Sequence, residues 1–226
     1  MIEKIKYAIF DMDGTLIDSL GYWGYFWQKF GEKYFGTRDF KVDEDIDKQI
    51  RTITLKDASE LLYERYKPDN SSADDILALA NGMIEEHYGT RVSAKRGAVE
   101  LLRYLKERGV KMCVASATEP RYVKYALEVQ GIYDLFEFTV SCNEVGAGKD
   151  KPDVFLEAMK RLGGNLAESC VFEDSFIALE TAKKAGFMTV GIYDEPNYCR
   201  DRLKAASDFY VEKGKSLFSV AENTQL

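Results

Sequence analysis

Histidine is almost missing from this 226-residue chain: His87 is the only one. That excludes a histidine dyad and any metal centre built on several imidazoles, and leaves proton transfer to carboxylates and lysines. His87 follows Glu85-Glu86 at the polar end of a helical pattern, so a surface position at a helix end is expected. Cysteine is sparse too. Cys113, Cys142, Cys170 and Cys199 form no Cys-x-x-Cys pair, which excludes a close-spaced zinc or redox motif. Cys113 and Cys170 lie in apolar runs, where a thiol behaves as a small buried hydrophobe. A reducing, cytoplasmic setting is therefore expected. Basic residues are outnumbered, 31 Lys and Arg against 38 Asp and Glu, for a net charge of −7. That balance argues against a nucleic-acid or anionic-membrane partner. No apolar run approaches the length of a membrane span. Glu3, Lys4 and Lys6 break up the N-terminus where a signal peptide would carry its apolar core.

What the chain does have is an abrupt placement of charge. In Tyr7-Ala-Ile-Phe-Asp-Met-Asp-Gly-Thr-Leu-Ile-Asp18, a short apolar run reads as a buried strand and stops at Asp11. Asp11 and Asp13 bracket Met12, and Gly14-Thr15 supplies the chemistry of a tight turn. Two carboxylates at the carboxyl end of a buried strand have little structural use, and open α/β sheets bind ligands there.

Beyond Asp18-Ser19 the pattern is helical. Leu20, Trp23, Trp27, Phe30 and Tyr34 share one face of a helix that Asp18 or Ser19 could cap. Three more helices are expected within 42–50, 54–66 and 72–88, with a turn cluster at 67–72. From Val92 onward, helical segments alternate with short apolar runs at 110–115, 136–141, 170–172 and 189–193, and 208–211 adds a further candidate strand. Such alternation predicts parallel strands joined by helical crossovers. The expected fold is α/β: a Rossmann-like parallel sheet with helices on both faces, plus a small all-helical cap domain. Residues 1–17 and 91–226 would form the core, and 18–90 the cap. An insert that leaves directly after the acidic motif is placed to act as a lid.

Phe10-Asp-Met-Asp-Gly-Thr-Leu16 resembles the first motif of the haloacid dehalogenase-like superfamily. Three later stretches resemble that family's other motifs in the same order: Met112-Cys-Val-Ala-Ser116-Ala117-Thr118, Gly146-Ala-Gly-Lys149-Asp150-Lys151-Pro152-Asp153-Val-Phe155, and Cys170-Val-Phe172-Glu173-Asp174-Ser175. The resemblance implies that Asp11 is a nucleophile taking up a phosphoryl group and Asp13 its general acid–base. Ser116 and the Ala117 amide would hold phosphoryl oxygens. Alignment on Pro152-Asp153-x-Phe155 selects Lys149 over Lys151 as the phosphate-facing lysine. Asp11, the Asp13 carbonyl and Asp174 would ligate Mg²⁺, with Glu173 a further ligand or the group that orients one; oxygen donors of this kind suit that ion.

The resemblance also separates activities. An acid–base Asp13 speaks against dehalogenation. Phosphosugar mutases of this cap type carry a His early in the first cap helix and an Arg in a cap loop; Trp23 and Leu55 stand at those places here, which favours hydrolysis. Receiver-type signalling domains have strand-end Asp and Lys residues but no helical insert of this size. The expected activity is Mg²⁺-dependent hydrolysis of a small phosphorylated metabolite by a monomeric phosphatase. Trp23 or Tyr22 is expected to face the pocket, and Arg51 and Lys56 are candidate substrate contacts.

Overall fold

The computed structural model describes residues 4–50, 55–195, 197 and 199–222. Its chain divides into two compact units, Met1–Leu20 with Val92–Leu226, and Gly21–Arg91.

The first unit is built on six parallel strands: β1 (Tyr7–Phe10), β2 (Lys111–Ser116), β3 (Phe138–Ser141), β4 (Ser169–Glu173), β5 (Met188–Ile192) and β6 (Phe209–Val211). Their order is β3-β2-β1-β4-β5-β6, with every pairing parallel. This is the doubly wound Rossmann order, in which the chain reverses direction across the sheet between β1 and β4. Period-2 alternation divides the strand residues between two faces. Ile9, Cys113 and Val171 join one core with Val154, Phe155 and Ala158 of α8 (Asp153–Leu162), Ala178 and Leu179 of α9 (Phe176–Lys184), and Leu203 of α10 (Arg200–Ala206). Phe10, Val114 and Phe172 point the other way. Phe10 stacks on Phe172 at 4.2 Å between ring centroids and meets the Phe136 edge at 6.1 Å. Further helices are α5 (Ala98–Glu107), α6 (Pro120–Val129), α7 (Cys142–Val145) and α11 (Ser219–Glu222). The three buried cysteines, Cys113, Cys142 and Cys170, are packing residues.

The second unit contains α1 (Tyr22–Phe35), α2 (Glu44–Ile50), α3 (Leu55–Tyr66) and α4 (Ala73–Glu86), and no strand among its described residues. Tyr22, Phe26, Trp27 and Phe30 of α1 pack with Ile46, Leu62, Ile76 and Met83 in an aromatic-rich core. A full capping box closes the start of α4, with Ser72 accepting from the Asp75 amide and Asp75 accepting from the Ser72 amide.

Three expectations are corrected here. His87 is buried, not a surface residue. The chain leaves α4 through a wide π-type turn, His87–Arg91, which rotates the imidazole inward against the ring of Tyr22 at 5.4 Å. Tyr22 does not line an open wall: it is buried in this unit's own core, with its hydroxyl donating to the Ala80 carbonyl at 3.2 Å. Neither Asp18 nor Ser19 caps α1: the helix starts at Tyr22, so Gly21, which has no side chain to offer, holds the N-cap position, and the Ser19 hydroxyl donates to Asp13. No described helix is long and apolar enough to cross a membrane.

Candidate active site

The central position of β1 determines what surrounds Asp11. Phe10 lies level with Val114 on one side and Phe172 on the other. The next residue therefore emerges between the ends of β2 and β4, and the Asp11 amide still donates to the Phe172 carbonyl at 3.0 Å. Ser116 terminates β2 and Glu173 terminates β4, with Asp174 immediately beyond. Three separate strands thus deliver Asp11, Ser116, Glu173 and Asp174 to one end of the sheet, and all four side chains are buried.

Lys149 reaches the same place from a loop. A capping box between Ser141 and Glu144 starts α7, and Gly146, at φ 71°, ends it in the left-handed conformation. The following turn carries the Lys149 ammonium onto Asp11 Oδ1 and to 2.7 Å from Glu173 Oε1. Held between two buried carboxylates, Lys149 keeps its proton well above the usual lysine range despite its burial. Lys151 is exposed. The second oxygen of Glu173 accepts from the Ser175 amide at 2.8 Å.

Asp11, Glu173 and Asp174 each offer one carboxylate oxygen, and the three oxygens lie within 4.8 Å of one another. Three buried carboxylates thus face one ammonium. Burial, with the neighbouring Glu173 charge next in importance, pushes Asp174 up to about 7. Burial likewise raises Asp11 well above the carboxylate range, outweighing the pull of Lys149. A site that resists carrying its own negative charge, with only oxygen donors, suits a hard divalent cation such as Mg²⁺. Thr15 donates to Asp174 Oδ1 at 2.9 Å.

Asp13 is not one of these three carboxylates and is partly exposed. Ser19 donates to its Oδ1 at 2.6 Å and Thr118 to its Oδ2 at 2.8 Å. Hydroxyls can donate or accept, so this pair accommodates either protonation state of Asp13. The Ser116 hydroxyl accepts from the Thr118 amide at 3.0 Å, and Ala117 between them is exposed.

The remaining candidates lie in the helical unit. Trp23 is half-buried against Tyr22, Phe26 and Trp27. Lys56 is exposed and approaches Glu60 at 3.9 Å. Arg51 lies outside the described residues. Sequence reasoning missed Thr15, Ser19, Thr118 and Asn197. Thr15 and Thr118 stand inside motifs already singled out, so a search for hydroxyls within those motifs reaches them. Asn197 carries no local signal.

Against known proteins, the profile of the haloacid dehalogenase-like hydrolases matches residues 5–186. Among curated relatives, a (DL)-glycerol-3-phosphatase of Arabidopsis thaliana is 28% identical over 207 residues, covering 87% of this chain and 67% of the plant protein. The β-phosphoglucomutase of Bacillus subtilis is 25% identical over 194 residues, covering 83% of each chain. The solved structure of a candidate β-phosphoglucomutase from Thermotoga maritima superposes with a TM-score of 0.79 at 24% identity, over 96% of this chain and 99% of that one, a likeness of fold. With a profile match over most of its length, the chain belongs to the haloacid dehalogenase-like hydrolases.

Proposed function

We propose that this hydrolase is a Mg²⁺-dependent phosphatase that cleaves a small phosphorylated metabolite through an aspartyl-phosphate on Asp11. The observation that carries the reading is the placement of Lys149 between Asp11 and Glu173, beside Asp174. An anionic nucleophile must meet an anionic phosphate, and only local positive charge makes that approach feasible. Asp11, Glu173 and Asp174, with the Asp13 carbonyl, would hold Mg²⁺, which supplies charge neutralisation at the phosphoryl oxygens when bound.

The chain's own residues do the rest. Lys149 pairs with the incoming phosphate and keeps Asp11 oriented. Ser116 and the Ala117 amide hold phosphoryl oxygens. Asp11 attacks phosphorus, and the bond from phosphorus to the ester oxygen breaks. Asp13 gives its proton to that leaving oxygen. Asp13 then takes a proton from water, whose oxygen attacks phosphorus and releases Asp11 with inorganic phosphate. Such positioning is most of what phosphoryl transfer asks of a protein. Residues 18–90 serve as the cap, and within it Trp23 and Arg51 are assigned as substrate contacts. The setting is cytoplasmic and the enzyme a monomer.

The test is phosphate release from a panel of phosphorylated metabolites and a generic aryl phosphate, with Mg²⁺ and with the ion chelated. Mg²⁺-dependent release supports the reading. No release from any ester despite bound Mg²⁺ overturns it. Interconversion of hexose phosphates without net release identifies a mutase instead.

A further inference from the structure

A relay of polar contacts runs from the interior of the α/β unit to the metal-binding carboxylates, through residues that the proposed chemistry does not use. Lys95 is only 9% exposed. Its ammonium lies 2.5 Å from Asp194 Oδ2, 3.0 Å from Asp18 Oδ1 and 3.3 Å from the Tyr193 carbonyl oxygen. Asp194 is itself buried, and its main-chain carbonyl accepts from the Asn197 amide at 3.3 Å. The Asn197 carboxamide then donates to the main-chain carbonyl of Asp174 at 3.0 Å and also to Asp174 Oδ2. Lys95, Asp194, Asn197 and Asp174 are thus connected by successive contacts, and the bond from the Asn197 amide to the Asp194 carbonyl is the middle link.

We propose that Asn197 is a positioning residue for the metal-binding carboxylate of Asp174, set in place by the buried Lys95–Asp194 pair. The inference rests on reading Asp11, Glu173 and Asp174 as a divalent-cation site. Thr15 grips one oxygen of Asp174 and Asn197 the other, so the carboxylate plane is fixed from both sides. Each oxygen keeps a lone pair for the cation. A neutral amide suits this role better than a lysine, because it orients the carboxylate without cancelling the charge that the cation needs. Groups behind a metal ligand govern affinity in this way. Unsupported, a loop asparagine would lose that orientation to its own rotamer freedom. The buried ion pair supplies the support, since Lys95 has partners on three sides and little room to move. The same lysine is tied to the segment after Asp13, where its amide donates to the Leu16 carbonyl at 2.8 Å.

Calorimetric titration of the full chain with Mg²⁺ tests this, using wild type, Asn197→Ala, Asp194→Asn and the double variant. Asp194→Asn keeps the side chain's shape and leaves Lys95 paired with Asp18, and circular dichroism of each variant checks that the fold is retained before binding is compared. Asn197→Ala is expected to weaken Mg²⁺ binding about tenfold or more, with KM for an aryl phosphate unchanged at saturating Mg²⁺. Asp194→Asn should weaken binding in the same direction. The double variant should bind no more weakly than Asn197→Ala, because both act through one contact. Binding by Asn197→Ala within about twofold of wild type overturns the proposal. Fully additive losses overturn the link between Asp194 and Asn197. A wild-type protein that binds no Mg²⁺ overturns the cation-site reading, and this inference with it.

Discussion

The hydroxyl of Thr15 donates to Oδ1 of Asp174 at 2.9 Å, joining residues 159 positions apart in the chain. That bond exists because β1 and β4 are neighbours, so the turn after one strand faces the residue after the other. Gly14 makes the approach possible. Its φ is 78°, and a Cβ there would stand 2.4 Å from Asp174 Oδ2 and 2.7 Å from its Cγ.

Gly14→Ala should therefore displace Asp174, the proposed metal ligand, as well as strain the turn. The backbone penalty alone is about 1–2 kcal/mol. The larger effect is on Mg²⁺, whose apparent affinity should fall about 10–100-fold. Mg²⁺ dependence of aryl phosphate hydrolysis reads this directly. Thr15→Val keeps the shape, removes one hydrogen bond and should give a smaller shift in the same direction.

Lys149 and Lys151 separate cleanly in the structure. Lys149→Met leaves Asp11 and Glu173 buried without their cation, and losing one partner of a buried pair costs about 3–5 kcal/mol. Thermal unfolding should show it as a marked drop in Tm, and activity should fall to background. Lys151→Ala should match wild type in both measurements, since Lys151 is solvent-exposed.

Stability should depend on pH in a direction that Mg²⁺ cancels. Burial, with the nearby charge of Glu173, raises Asp174 to about 7 in the folded state. An unfolded Asp titrates near about 4. The folded state thus binds this proton more tightly, so the contribution to stability is intact below about pH 4 and is lost as pH rises to about 7. Lys149, raised from an already high value, stays charged throughout that window. The cation needs the ionised carboxylate and competes with the proton. Without Mg²⁺, Tm should be lower at about pH 8 than at about pH 5.5. Saturating Mg²⁺ should raise Tm more at the higher pH, on the order of 5–10 °C at about 100 times Kd.

Asp13 offers a fourth test. Its two oxygens are held by Ser19 and Thr118. Thr118→Val should lower kcat several-fold while leaving Mg²⁺ affinity within about twofold, since Thr118 touches the proposed acid–base group and not the proposed cation ligands. Steady-state kinetics across Mg²⁺ concentrations distinguishes the two.

Much of this site is legible in the sequence because its residues interrupt apolar runs. Asp11 and Asp174 each follow a buried strand directly and Ser116 ends one, and a parallel sheet brings strand ends together. Lys149 is legible through its spacing to Pro152 and Phe155. Asn197 is not, because nothing in a loop sequence states which neighbouring strand end it returns to; that depends on β5 lying beside β4. The pairing of Lys95 with Asp194 is hidden for the same reason, at 99 residues' separation. His87 misleads because its sequence neighbours are acidic, while its ring is buried against Tyr22 and Tyr88. Ser19 reads as a helix cap by type and position, yet its hydroxyl is claimed by a carboxylate six residues back.

The central claim is that Asp11 carries the phosphoryl group. The most direct measurement is the intact mass and peptide map of Asp13→Asn protein, quenched in acid after mixing with Mg²⁺ and an aryl phosphate whose phenolate leaves without a proton. Asp13→Asn retains the nucleophile and loses both the acid, which this leaving group does not need, and the base that activates water, so a covalent intermediate should accumulate. The account predicts that the peptide bearing Asp11 gains one phosphoryl group, and that the gain disappears when Asp11→Asn is added. Phosphate release by wild type with no labelled Asp11 at any quench time, or with Asp11→Asn still turning over at the wild-type rate, would contradict it.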